Sequence, residues 1–119
     1  MKIEPLIQRI KTHPAYPQVG MILCHNGVVR ATSRDGRRVK GLRVAVDHAA
    51  LRELIDKMKK TPGIVDIQVD IAADRDLLVG DDVMLLVVAG DIRETVIRVL
   101  GDTLNAIKTT VTRKSEYFA

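Results

Sequence analysis

The sequence predicts an α+β protein with a mainly antiparallel sheet and helices packed on one of its faces. Apolar residues recur at helical spacing in three segments, whereas four others alternate or are continuously apolar as strands are. The segments follow the order α, β, β, α, β, β, α, and an extended tail closes the chain. With 119 residues and 46% hydrophobic content, the chain has enough apolar side chains for one core. We therefore expect a single domain over residues 1–119.

The first part of the chain predicts one helix and a pair of strands. Apolar residues at helical spacing follow Pro5, a residue suited to a first helical turn, so a short helix is predicted there. Residues 19–32 then form an apolar, β-rich run in which Gly27 indicates a bulge or a close backbone approach. Alternation resumes over residues 39–46 after an Asp-Gly turn. We expect these two runs to pair as antiparallel neighbours.

The middle of the chain predicts a helix followed by two more strands. Asp47 is the predicted N-cap of a helix over residues 48–60, whose last turns carry lysines where the helix dipole favours cations. Residues 64–72 alternate as a half-buried strand. A loop with a Gly-Asp turn is predicted at residues 75–82. Residues 83–90 are continuously apolar and are expected at the centre of the sheet.

The last helix is predicted over residues 92–108, followed by a polar tail. Asp91 is its expected cap, and Glu94 would stand at the third helical position, as in a capping box. The tail holds Lys114, so two lysines, Lys108 and Lys114, lie close together near the end of the chain. Cations at a helix C-terminus and a polar, frayed end are one ordinary explanation. A site for an anion is the other.

Composition limits the classes of function. The net charge is +4, and the basic surplus is concentrated between residues 30 and 43, which suits nucleic acid, a phosphorylated metabolite or an acidic protein but also an ordinary solvated surface. A single cysteine, Cys24, excludes an internal disulfide, and no Cys/His spacing matches a zinc site. We therefore predict no metal and no cofactor, and a cytoplasmic location. No apolar run is long enough for export or membrane insertion.

Familiar catalytic and nucleotide-binding motifs are missing from the sequence. No serine or cysteine lies in a nucleophile motif with a histidine, and no glycine-rich phosphate loop is present. Arg93 brings a forked cation to a helix N-terminus, where an anion can bind, although an ordinary capped helix with a paired Arg93 explains the residue equally well. Arg93 and Lys108 are about four helical turns apart, so a site that uses both needs a long substrate or a second chain. RNA binding is disfavoured, because only 3% of the residues are aromatic and the chain has almost no side chains on which bases could stack.

Several segments, taken in their order, resemble the MoaE family, the large catalytic subunit of molybdopterin synthase. The strand and glycine-containing exit "GMILCHNGVVR", the strand-then-helix "LRVAVDHAALRELI", the turn and buried strand "LLVGDDVMLLVVAG" and the final "RETVIRVLGDTLNAIKTTVTRKSE" are similar to successive parts of that family. The similarity covers residues 20–116. It implies a MoaE-like fold of the α/β-hammerhead type.

The resemblance also implies a sulfur transfer. In that family, a small ubiquitin-like (MoaD-like) subunit inserts its C-terminal Gly-Gly thiocarboxylate into the large subunit. The large subunit delivers two sulfurs to cyclic pyranopterin monophosphate and so forms the dithiolene of molybdopterin. Large subunits pair as a homodimer, and each one carries one small subunit. A heterotetramer and a pterin phosphate substrate are therefore expected.

The same resemblance assigns roles to four cations. The lysines of the family correspond to Lys108 and Lys114, which are the expected catalytic residues, and its arginines correspond to Arg30 and Arg93. Together with Arg113 these arginines are expected to bind substrate. Fixed positive charge suits a thiocarboxylate, a phosphate and the anion that develops at an acyl carbon. Lys108, once desolvated beside other cations, would act as acid, base or transient nucleophile.

Some positions differ from the family pattern and leave an alternative open. Ile92 stands where the family has a histidine, Thr112 and Arg113 stand where it has proline and tryptophan, and His25 replaces an aromatic residue on the first strand. The alternative is a non-catalytic relative that binds a ubiquitin-like partner or an anionic pterin without completing sulfur transfer.

Overall fold

The computed structural model describes residues 1–119 and confirms the α+β class. Three α-helices, six strands, a 3₁₀ turn and a π turn follow one another along the chain. The helices are α1 (Glu4–Lys11), α2 (His48–Lys59) and α3 (Arg93–Ala106), and the two turns are Tyr16–Gln18 and Ile107–Val111. The strands are β1 (Met21–Val28), β2 (Val39–Val46), β3 (Ile64–Ile71), β4 (Asp76–Leu78), β5 (Asp82–Gly90) and β6 (Thr112–Phe118).

The strands form two antiparallel sheets of three strands each, in the orders β1-β5-β3 and β4-β2-β6. The central position predicted for residues 83–90 is confirmed, because β5 lies between β1 and β3. The predicted pairing of β1 with β2 is wrong, since each is hydrogen-bonded to strands from later in the chain. A strand that is apolar on both faces is favoured at the centre of a sheet, and β5 has β1 and β3 as its hydrogen-bonded neighbours there.

The segments expected as loop and tail also contain strands. Residues 75–82 were predicted to form a loop, but β4 lies within them and pairs with β2. The extended tail becomes β6, which pairs with the other side of β2 along its length. In this way the last residues of the chain gain backbone hydrogen bonds that a polar sequence alone does not indicate.

The side chains of β5 alternate between two cores. Leu86 and Val88 pack with residues of α2, α3 and β3 on one face of the sheet. Leu85 and Val87 pack on the other face against α1, where Ile10 is fully buried. Helices α2 and α3 therefore share one face, as the sequence predicts for its helices, and α1 covers the opposite face.

The register between β2 and β6 determines which side chains of β6 face the protein. Lys114 lies directly opposite Val44, and Thr112 lies opposite Val46. Val44 belongs to a third apolar cluster between the two sheets. Because directly opposed residues share a face, Lys114 lies on the inner side of its sheet, whereas Arg113 lies on the outer side.

Two local predictions are confirmed. The strand register shifts between Gly27 and Val28, so a bulge interrupts β1 where the glycine indicated one. Asp47 caps α2, because its Oδ1 accepts a hydrogen bond from the backbone N–H of Ala50 at 3.0 Å.

The predicted cap of α3 is wrong by one residue. The helix begins at Arg93, and Ile92 occupies the N-cap position without a side-chain hydrogen bond. The Asp91 carboxylate accepts from the backbone N–H of Ile92 at 2.7 Å instead. It also lies against Gly63, where an added Cβ would stand 2.6 Å from Asp91 Oδ1. Glu94 is therefore the second helical residue, and the expected capping box does not form.

Candidate functional site

The two predicted catalytic lysines lie on either side of the junction between α3 and β6. After Ala106 the chain widens into the π turn, and β6 begins directly after it. Ile107 and Val111, at the ends of the turn, are 1% and 4% exposed and fasten it to the core. Lys108 lies between these two anchors and is exposed, and Lys114 is the third residue of β6. π turns of this kind are uncommon and occur often at functional sites.

One pocket of about 250 Å³ brings Lys108 and Lys114 together. We call it the lysine pocket. Apart from the lysines, its walls are largely apolar and come from β2, β3, β5, the π turn and β6. They consist of Val44, Ile71, Val83, Met84, Ile107 and Thr112. No carboxylate lines this pocket, and neither lysine takes part in a salt bridge.

A neighbouring pocket of about 270 Å³ brings Arg30 and Lys114 together. We call it the arginine pocket. Arg34 and Glu116 also line it. The Nε–H of Arg30 donates to the backbone carbonyl of Thr32 at 2.8 Å, which fixes the guanidinium and leaves its terminal nitrogens available. Because Lys114 lines both pockets, it connects them into one cationic region.

Arg93 is not part of this region in a single molecule. It lies at the opposite end of α3 from Lys108, and a helix of this length is about 20 Å long. Its side chain is 78% exposed, and its Nε lies 3.2 Å from Glu94 Oε1. An exposed pair between neighbours of this kind contributes little to stability. The separation of Arg93 from Lys108 follows the expectation from helical geometry.

Arg113 is also separated from the lysines, because it lies on the other face of β6. It lines a different pocket of about 400 Å³, together with Asp47 and Val111. The structure therefore places the exposed Lys114 in one pocket with Lys108 and in another with Arg30, and it does not bring Arg113 to either pocket.

The basic stretch between residues 30 and 43 is divided by the fold. Arg43 pairs with Asp76 at 3.3 Å, and Arg37 stacks over an aromatic ring of β6 at 3.6 Å. Arg30 and Arg34 point instead to the arginine pocket. The stretch thus supplies two cations to a small concave site, and two of its other cations contact groups within the chain.

The neighbours Cys24 and His25 show no sign of a nucleophilic pair. They lie at successive positions of β1, opposite Val87 and Leu86, and therefore on different faces of the sheet. Burial raises the pKa of the Cys24 thiol and lowers the pKa of the His25 imidazole. At neutral pH a thiol and a neutral imidazole are thus favoured over a thiolate and an imidazolium.

Several residues of the two pockets were not identified from the sequence. Met84 lies in a continuously apolar run, and only the strand register shows that its side chain reaches the lysines. Thr112 and Glu116 depend in the same way on the register between β2 and β6. The alternation of β6, which places residues 112, 114 and 116 on one face, was the available signal.

No group of three or more His, Cys, Asp or Glu side chains is arranged to hold a metal ion. None of the helices combines the length and the apolar character needed to cross a membrane.

The two antiparallel sheets and three helices define a class of small α+β domains that solved structures of molybdopterin biosynthesis proteins share. Molybdopterin synthase from Staphylococcus aureus matches with a TM-score of 0.72 and 20% identity, over 86% of this chain and 77% of that chain. Molybdopterin cofactor biosynthesis protein E from Burkholderia multivorans matches with a TM-score of 0.75 and 16% identity, over 100% and 86%. The complex of subunits 1 and 2 of the molybdopterin-converting factor from Helicobacter pylori matches with a TM-score of 0.70 and 18% identity, over 100% and 84%.

The family follows from the sequence itself. The MoaE protein family model matches residues 2–110, and the chain therefore belongs to the MoaE family. Membership supports a role in the biosynthesis of the molybdenum cofactor. No protein with curated annotation is significantly similar to the chain in sequence.

Proposed function

We propose that this chain is the catalytic subunit of a molybdopterin synthase. It would transfer sulfur from the thiocarboxylated C-terminus of a small ubiquitin-like subunit to cyclic pyranopterin monophosphate. The observation that carries the proposal is the lysine pocket, which holds two unpaired lysines, no carboxylate and apolar walls. Like charges gathered without a counter-ion favour an anionic ligand.

The two pockets suit the two anions of the reaction. The lysine pocket is small and apolar, as a Gly-Gly tail requires, and its cations oppose the charge of a thiocarboxylate. The arginine pocket offers Arg30 and Arg34 to a phosphate. Lys114, which lines both, would contact the sulfur donor and the acceptor at the point where they meet.

Lys108 would act at the acyl group. Once the thiocarboxylate sulfur is bonded to the pterin, water adds to the acyl carbon and negative charge develops on the acyl oxygen. The carbon–sulfur bond then breaks, which leaves the sulfur on the pterin and a carboxylate on the small subunit. An ammonium group beside the acyl oxygen stabilises the developing charge. In the free chain Lys108 is exposed. An inserted tail would cover it against Met84 and Ile107, and the lower local dielectric would strengthen its interaction with the developing anion.

Arg93 would reach the site from a second copy of the chain. Ile92, the N-cap residue of α3, and Ile97, within α3, are 55% and 53% exposed, which is consistent with an apolar contact to a second molecule. The family resemblance implies a homodimer, and the Helicobacter pylori structure is a complex of two subunits. A large-subunit dimer that carries a small subunit on each copy fits both.

The test of catalysis uses the thiocarboxylated small subunit and cyclic pyranopterin monophosphate, with dithiolene product as the readout. We expect product from the wild-type chain and a decrease of about 100-fold or more in Lys108→Ala. Lys57→Ala is the matched control, because Lys57 is an exposed lysine near the end of α2, far along the chain from the pocket. Normal turnover by Lys108→Ala would remove that lysine from the mechanism.

A mixing experiment tests the shared site. Lys108→Ala and Arg93→Ala chains, each expected to have little activity, are combined in equal amounts and allowed to exchange. If Arg93 acts across a dimer, half of the dimers are mixed and each has one intact site, so activity returns to about one quarter of the wild-type value. If both residues act within one chain, mixing restores nothing.

The second candidate function is binding without sulfur transfer. Ile92 favours it, because an exposed isoleucine at the start of α3 cannot transfer a proton. This candidate predicts a stable complex with the thiocarboxylated small subunit and no dithiolene product. Gel filtration of the complex beside the product assay separates the two functions.

A further inference from the structure

Thr112 connects the two lysines of the lysine pocket. It is the first residue of β6, is half-buried and lines that pocket. Its Oγ1 donates to the backbone carbonyl of Ile107 at 3.3 Å, and its backbone N–H donates to the same oxygen. That carbonyl belongs to the peptide unit whose nitrogen is the backbone nitrogen of Lys108. Thr112 therefore makes two hydrogen bonds to the peptide group that joins Ile107 to Lys108.

The position of Thr112 in β6 extends this connection to the second lysine. Thr112 lies opposite Val46 and Lys114 lies opposite Val44, so the two side chains project from the same face of the strand. One residue thus ends the π turn that carries Lys108 and begins the strand that carries Lys114. The π turn is a less favourable geometry than an α-helix and depends on contacts that hold it.

We propose that Thr112 is a positioning residue whose hydroxyl group holds Lys108 in the pocket that it shares with Lys114. The inference rests on the proposed function, in which Lys108 acts on the acyl group. Threonine meets two requirements here, because its β-branched side chain suits a strand and its hydroxyl group supplies the second donor to Ile107. Valine has the same shape without the donor, and serine has the donor without the second branch.

The kinetic test compares Thr112→Val and Thr112→Ser with the wild-type chain. Loss of one hydrogen bond that orients Lys108 is expected to lower kcat about fivefold with KM unchanged. Serine is expected to restore kcat, and thermal unfolding checks that each variant is folded. Thr110→Val is the matched control, since the Thr110 hydroxyl donates to Ala106, the preceding carbonyl, at 2.7 Å. This control is expected to have wild-type kinetics.

A second measurement reads the position of Lys108 without catalysis. Lysines are methylated with a ¹³C label, and the Lys108 resonance is assigned from its loss in Lys108→Arg. We expect this resonance to shift in Thr112→Val, to return in Thr112→Ser and to stay unchanged in Thr110→Val. The Lys57 resonance is expected to stay constant throughout.

The two measurements separate the inference from the function on which it rests. An unchanged Lys108 resonance in Thr112→Val, or no recovery with serine, overturns the positioning role even if the enzyme is active. A wild-type chain that forms no dithiolene overturns the proposed function, and the resonance then decides alone whether Thr112 positions Lys108. A decrease of kcat with the shifted resonance, both reversed by serine, supports the inference.

Discussion

Asp66, on β3, tests how a buried carboxylate stabilises the contact between the sheet and α2. Its side chain is 7% exposed and lies 3.3 Å from Nζ of Lys59 on α2. Asp66 also accepts hydrogen bonds from the backbone N–H of Ile67 and from Nε2 of Gln68, both at 2.9 Å. Three donors thus converge on one buried carboxylate, and its removal leaves the buried N–H of Ile67 without this acceptor.

Three substitutions are expected to lower the free energy of unfolding by different amounts. Asp66→Ala loses all three interactions and is expected to lower the free energy of unfolding by about 3 kcal/mol, which corresponds to a decrease in Tm of about 10 °C. Asp66→Asn keeps an oxygen for Ile67 and loses the charge, so a decrease of about 1 kcal/mol is expected. Lys59→Met removes only a partly exposed partner and is expected to cost about 0.5 kcal/mol.

The assay is urea unfolding of the four proteins, followed by circular dichroism and fitted with a common slope. The order Asp66→Ala, Asp66→Asn, Lys59→Met, from largest to smallest loss, is the predicted result. A loss below about 0.5 kcal/mol in Asp66→Ala would refute the reasoning, because it would mean that Ile67 and Gln68 find other partners at no cost.

Three further predictions concern pH, packing and the site. The hydrogen bond to Asp76 raises the pKa of Tyr117. The stability that this hydrogen bond contributes is therefore complete below the unfolded pKa of about 10 and is lost as pH rises through the folded pKa. In Tyr117→Phe, urea unfolding from pH 8 to 11 should not show this loss of stability. Gly20→Ala should lower Tm by about 10 °C or more, because the added Cβ would overlap the backbone carbonyl oxygen of Asp91. Lys114→Ala should lower kcat/KM for sulfur transfer about 100-fold, measured with saturating small subunit, because it removes a cation from both pockets.

The sequence predicts the elements of this fold better than their pairing. Periodicity and capping residues identify the helices, because both are local properties of the chain. Pairing is not local: β1 and β2 follow each other in sequence, yet β1 joins β5 and β2 joins β6. Which strands pair depends on how whole faces of the sheets are buried. Alternation within one strand shows that one of its faces is buried, but it does not show which strand lies beside it.

The site could be predicted in part for the same reason. Lys108 and Lys114 stand out through their residue type and their similarity to family motifs. The apolar wall at Met84 and the hydroxyl group of Thr112 become part of the site only through strand register and the π turn. Those features arise from tertiary contacts, and an isolated methionine or threonine carries no sign of them.

The arrangement of charge in this fold argues for a ligand more strongly than any single residue does. Arg30 and Lys114 are far apart in sequence, and the pairing of β6 with β2 brings them to one pocket. Lys108 approaches from the π turn to a second pocket without a carboxylate. All three cations are exposed to solvent, so water screens their mutual repulsion and an anion can reach them. The lack of a paired carboxylate for these lysines supports the proposal that an anion binds between the cations.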